Sequence, residues 1–217
     1  MSTVILVKEE GNEQEVVKDS VQHKDLVNRS LALLGVESIT SLSDTSKPAS
    51  TANLLYDNTR AAVFRAHPWN CLTKRAALAQ DATAPVYEYT YRYILPADYL
   101  RLLTLEEPVD EYQLENGFIL SNDSTLNIKY TALETDVTKY DTLLVEALTA
   151  RLAADLAQPL LQSMSAMEAM QRMYELKIRE AKFVDAQENS QDILDTDYWL
   201  ESRLGVYREN ISTPPRF

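Results

Sequence analysis

Cysteine, histidine and glycine are all scarce in this chain, and each shortage closes off a class of function. The single cysteine, Cys71, excludes an intramolecular disulfide, and two histidines, His23 and His67, leave little material for a zinc site. The four glycines, Gly11, Gly35, Gly117 and Gly205, are scattered, so there is no phosphate-cradling loop. No apolar run approaches the roughly 18 residues of a membrane span. Met1 to Val7 is apolar, but it lacks a basic start and runs into Lys8, Glu9 and Glu10, so it does not read as a secretory signal. Bases are short as well: 21 Lys and Arg face 33 Asp and Glu, a net charge of -12, and such a surface repels phosphate as a whole. Sequence-reading DNA binding is not expected. A reducing environment without metal or cofactor is the simple expectation, in the cytoplasm or in an assembly built there.

What is present is ordinary core material. With 45% hydrophobic and 25% charged residues over 217 positions, the chain has enough to bury one compact body with appendages. From Ser20 the apolar spacing is helical, with Leu26, Ser30, Leu33 and Val27, Leu31, Leu34 on one side, and Gly35 ends it in a left-handed turn. Ser46 is positioned as the cap of a second helix, with Pro48 in its first turn and Ala52, Leu55, Thr59, Ala62, Val63 and Ala66 as its inward stripe. That helix must end by Ala66, because the residue before a proline is pushed out of the helical region.

Beyond Pro68 and Trp69 the period changes from about 3.6 to about 2. Tyr87, Tyr89, Tyr91 and Tyr93 alternate with polar residues and predict one strand with an aromatic face, closed by Pro96. Leu100 to Leu105 predicts another. Asn116-Gly117 suits the tight primed turn of a hairpin, and Leu126, Ile128 and Tyr130 alternate once more. Helix returns after Asp141, an N-cap, with apolar residues around most of its surface, until Pro159 breaks or kinks it. Ser165 and Glu168 have capping-box spacing for a last helix. Its face, Met167, Met170, Tyr174, Ile178, Ala181 and Val184, reads as core, with an adaptable partner surface as the alternative.

These segments predict an α+β protein: a mainly α-helical bundle, 20–67 and 132–187, with one small antiparallel sheet inserted at 68–131. Extended arms are expected at 1–19 and 188–217. The first arm carries Val4-Ile5-Leu6-Val7, suited to adding a strand to a neighbour. The second is acidic, with Glu188, Asp192, Asp195, Asp197 and Glu201 around an aromatic anchor. Tyr198, Trp199, Leu200, Arg203 and Phe217 are its candidate docking residues.

Candidate chemistry is thin. His67 and Cys71 have the spacing of a thiolate and imidazole pair on one helical face, but Pro68 between them spoils that geometry. Glu106, Glu107, Asp110 and Glu111 would supply two carboxylates for glycoside hydrolysis only if the fold set them at the right separation; a solvated acidic loop is the simpler reading. Lys74 and Arg75 read as partners of local carboxylates. No active site is expected.

The joint itself, His67-Pro-Trp-Asn70 followed by Lys74-Arg75-Ala76, resembles the tail tubular protein A family, the head-to-tail adaptors of short-tailed bacteriophages. Other segments match in order: Asn28 to Gly35, Leu55-Tyr56-Asp57 with Arg60, Tyr91 to Pro96 with Asp98 and Leu100-Arg101, Ala150 to Pro159, and Asp197-Tyr-Trp-Leu with Arg203. The resemblance covers Asp25 to Arg203 and departs at both ends. It implies a virion protein assembled in the host cytoplasm as a dodecameric ring. The portal protein would lie above, the tail nozzle protein below, and genomic double-stranded DNA would pass through a channel without sequence-specific binding and without a membrane. In this setting His67, Pro68, Trp69 and Asn70 form a structural elbow, and the acidic charge keeps DNA sliding rather than adhering. The rival expectations are a tail-associated glycan hydrolase using the acidic cluster and a generic cytoplasmic helical interaction module.

Overall fold

Local capping chemistry sets where the helices begin and end. A computed structural model describes residues 23–106 and 111–188. Helix α1, 23–33 within that range, buries Leu26, Val27, Ser30 and Leu31, whereas Leu33 is 42% exposed. Gly35 takes φ +68°, and the Val36 N–H donates to the Leu31 carbonyl at 3.0 Å, the long-range bond of a glycine-closed helix end. Helix α2, Lys47–Arg65, starts under the Ser46 hydroxyl, which accepts from the Ala49 N–H. Its inward side is turned from the expected stripe: Ala62 and Ala66 are exposed, and Tyr56, Arg60 and Phe64 are inside. The large rings win the interior because they have partners there. Phe64 meets Tyr140 edge-on at 5.1 Å, and Arg60 lies over the Tyr56 ring with Asp57 at 3.1 Å.

Helix α3, Thr142–Leu161, begins where the Asp141 carboxylate accepts the Leu143 and Leu144 N–H groups. It is buried around most of its girth, from Leu144 through Leu148 and Leu152 to Ala157. Pro159 does not break it. The proline falls in the last turn, so the one intrahelical bond it forfeits lies next to a terminus, which Gln162 closes at φ +53°. Helix α4, Met164–Gln187, is capped by Ser163 rather than Ser165: the Ser163 hydroxyl accepts from the Ala166 N–H at 3.2 Å. Only Gln162 and Ser163 separate α3 from α4, so the two helices pack antiparallel along their lengths. The methionine-bearing face of α4 is half-buried against this neighbour, with Ala181 and Asp185 fully inside.

Six strands occupy the middle of the chain. Strands β1 (Thr73–Ala77), β6 (Asn127–Ala132) and β3 (Tyr99–Leu105) form one antiparallel sheet in the order β1-β6-β3. Strands β2 (Tyr91–Ile94), β5 (Phe118–Ser121) and β4 (Tyr112–Glu115) form a second, in the order β2-β5-β4. The hairpin turn between β4 and β5 is Asn116-Gly117, with φ +45° and +81°, the left-handed pair that a tight primed turn requires.

The expectation of a mainly helical bundle with one small inserted sheet is therefore corrected. The protein is a mixed α+β structure in which two three-stranded sheets share a core of their own, Tyr93 and Ile119 from one and Ile128, Tyr130 and Ala132 from the other. A second core with its own apolar residues makes the sheets a structural unit beside the helices, although their strands still fall between α2 and α3 in the chain. The aromatic alternation over Tyr87 to Tyr93 is also overturned in its first half. Glu88 has φ +74°, and the Tyr89 N–H turns back to the Tyr87 carbonyl at 2.9 Å, so only Tyr91 and Tyr93 enter a strand. Tyr87 is left 79% exposed.

Candidate functional site

The elbow between α2 and β1 brings the sequence-distinctive residues together. Pro68 offers no N–H, so the helix cannot continue and its last carbonyls need other donors. The Trp69 indole supplies one: it is fully buried, and its Nε1 donates to the Val63 carbonyl at 3.1 Å. Arg101 supplies another, donating to the Arg65 carbonyl at 3.2 Å, while Arg65 returns a bond to the Leu100 carbonyl at 2.7 Å. The Thr73 hydroxyl donates to the Trp69 carbonyl at 2.8 Å and leads the chain into β1. Trp69 belongs to the helical core, together with Phe64, Leu72 and Leu148.

Asp185, at the end of α4, ties the elbow to the opposite side of the helical layer. Its side chain is 7% exposed. One carboxylate oxygen accepts the Asn70 N–H at 3.0 Å, and the other accepts from His67 Nε2 at 3.1 Å. The Asn70 amide in turn donates to the Asp185 backbone carbonyl at 2.7 Å. Because a carboxylate only accepts, the His67 proton is placed on Nε2. The imidazole also meets the Trp69 ring edge-on at 4.8 Å. His67, Trp69 and Asn70 thus form one bonded unit, with Pro68 exposed at its outer corner.

No family model and no curated protein matches this chain.

Burial pushes the His67 pKa below its ordinary 6.5, opposed by Asp185 and reinforced by Lys182 and Arg101. The unfolded chain then holds the extra proton, so stability is fully present above about pH 6.5 and falls as pH drops through that value. Unfolding midpoints across that interval should show this slope in the native chain, and His67→Gln should flatten it.

Cys71 does not pair with His67, whose Nε2 faces Asp185 instead. Burial pushes the Cys71 thiol up, away from the thiolate range of a nucleophile. Lys74 bridges Asp98 at 2.9 Å and Glu134 at 3.4 Å, as expected of it, whereas among the described residues Arg75 has no carboxylate at ion-pair distance. Of the acidic cluster, Glu106 accepts from the Asn127 amide and Glu111 is exposed, while Glu107 and Asp110 lie outside the described residues. Tyr198, Trp199, Leu200, Arg203 and Phe217 also lie outside them, as do both expected arms apart from the exposed Glu188.

Among the described residues no three His, Cys, Asp or Glu side chains are grouped to hold a metal ion, and no helix is long and apolar enough to cross a membrane. Asp185 is the site residue that sequence reasoning missed. Its signal was there: an acid four residues beyond Ala181 and seven beyond Ile178, on the apolar stripe of α4.

Proposed function

We propose that the protein is a structural head-to-tail adaptor of the tail tubular protein A type, without catalysis. Twelve copies would form a ring between the portal and the tail nozzle of a short-tailed phage, with genomic DNA leaving through the channel. The observation that carries this is the place of His67-Pro-Trp-Asn70: the most distinctive stretch of the resemblance is the buried, bonded joint between helices and sheets rather than a chance surface string. A joint of that kind holds two sets of surfaces at a fixed angle, which is what a ring subunit with separate neighbours requires.

Exposed apolar side chains on the helices support interfaces as the working parts. Leu176 and Phe183, seven residues apart on α4, are 65% and 64% exposed, and Leu54 on α2 is 74% exposed. These are assigned to ring neighbours, the sheet side to the nozzle, and the C-terminal segment around Trp199 to the portal. The protein would be located in the virion neck after assembly in the host cytoplasm.

Sedimentation with purified portal particles tests the proposal. The chain should co-sediment with portals, and deletion of residues 189–217 should abolish this. Release of dye from labelled cell walls should stay at background. Wall hydrolysis lost in Glu106→Gln or Glu111→Gln, with no portal binding, would replace the adaptor by a hydrolase.

A further inference from the structure

The outer face of the β1-β6-β3 sheet is basic, on a chain whose net charge is -12. Ile128 and Tyr130 of β6 point into the sheet core, so Lys129 and Thr131 point the other way. Their cross-strand partners share that face: Arg75 and Thr104 beside Lys129, and Thr73 and Arg101 beside Thr131. The Thr131 end is covered, since Thr131 is fully buried and Arg101 reaches the end of α2. The Lys129 end is open. A groove of about 590 Å³ lies at this end of the sheet, lined by Arg75, Thr104 and Lys129, by Ala76, Leu105 and Ile128 from the core side, and by Glu106, which Asn127 holds.

The cations of this face have no carboxylate of their own. Lys74, Arg92, Lys139, Arg151 and Lys177 each have a carboxylate at ion-pair distance. Among the described residues Arg75, Arg101 and Lys129 of this face have none; Arg29, Lys47, Arg65, Arg179 and Lys182 elsewhere have none either, so what sets this face apart is that its unpaired cations are neighbours across the strands. Arg75 and Lys129 also stand directly opposite each other, a pairing of like charges that destabilises a sheet until an anion is placed between them.

We propose that this face is the docking site of the chain's own acidic segment, 188–201. Charge and tether both select it. Glu188, Asp192, Asp195, Asp197 and Glu201 occur there without an intervening base, and Arg203 is the first cation beyond them. The segment leaves α4 just after Asp185, which is bonded to Asn70 at the root of β1. Asp185 near the end of α4 holds His67, and Arg101 bonds the Arg65 carbonyl two residues before it, so α4 ends at the Arg101 end of the face. From Asn70 to Arg75 is at most about 17 Å of extended chain, and Glu188 to Asp197 reaches about 30 Å. A tether this short raises the local concentration of the anion to the order of mM, an advantage that free nucleic acid, repelled by the whole chain, does not have. The inference rests on the sheet geometry and describes the chain before assembly; in the adaptor proposal the same segment leaves this face when a portal is bound.

Carbodiimide coupling of the full chain at low salt, followed by peptide mass mapping, tests it. Lys129 or Lys182 should become amide-linked to Asp192, Asp195 or Asp197 within single chains. The yield should fall about fivefold in Arg75→Glu, and similarly at about 0.5 M salt, where screening shortens to a few Å. The combined Asp192→Asn, Asp195→Asn, Asp197→Asn variant, which leaves every described contact intact, should abolish the product. Absence of that product from the native chain would overturn the docking. A product confined to linked pairs of chains would overturn it in favour of a second copy. Retardation of duplex DNA that requires Arg75 and Lys129, without any product, would overturn it in favour of nucleic acid.

Discussion

Trp69→Ala lowers folding stability by about 3 to 5 kcal/mol. The side chain is fully buried at the meeting point of α2, the elbow and α3, where nothing smaller fills the volume of an indole. Its removal also leaves the Val63 carbonyl with only the Ala66 N–H, at 3.2 Å. Trp69→Phe separates the two contributions, because it keeps most of the apolar bulk and loses only the Nε1 bond; its cost should be nearer 1 kcal/mol. Urea denaturation measures both. In a chain of this length the alanine variant should melt about 10 °C lower, and portal attachment should decline with the folded fraction. A Trp69→Ala protein of native stability that fails only in attachment would make the elbow an interface instead of a core element.

Asp185→Ala is the second large effect, about 2 to 3 kcal/mol. The cost comes from what the carboxylate leaves behind: the Asn70 N–H and His67 Nε2 lose their acceptors in a part of the protein with little access to water. Asp185→Asn keeps one oxygen for Asn70 and should lose less than half as much. Hydrogen exchange should locate the damage, with protection falling in the last turns of α4 and at Asn70 to Leu72 while the core of α3 is unaffected. Uniform loss of protection across α3 would place Asp185 in the global core rather than at a latch.

Much of this architecture was legible because it is written locally. Gly35, Ser46, Asp141 and Asn116-Gly117 each act within a few residues of their own position, and each stops, starts or turns the chain where its chemistry requires. Pro68 belongs with them. What was not legible depends on residues distant in sequence. Nothing near Tyr87 says that Glu88 will turn left-handed, and no periodicity says that β6 will choose β1 and β3 while β5 chooses β2 and β4. That choice divides one expected sheet into two and gives the strands their own core.

The helix faces show the same limit. Tyr56, Arg60 and Phe64 are inside because His23, Tyr140 and Asp57 lie around them, and a stripe chosen for alanine and leucine cannot anticipate that. Pro68 marks the end of α2 locally, but the latch was missed because Asp185 lies far along the chain from Asn70 and His67. An acid on an apolar stripe is worth following to its partner, since burial without one would be costly.

Image reconstruction of the protein bound to purified portals tests the adaptor proposal most directly. The account predicts a closed ring with one subunit per portal subunit, the elbow buried within each subunit and the C-terminal segment against the portal. Scattered, substoichiometric decoration, or no bound density at all, would contradict it.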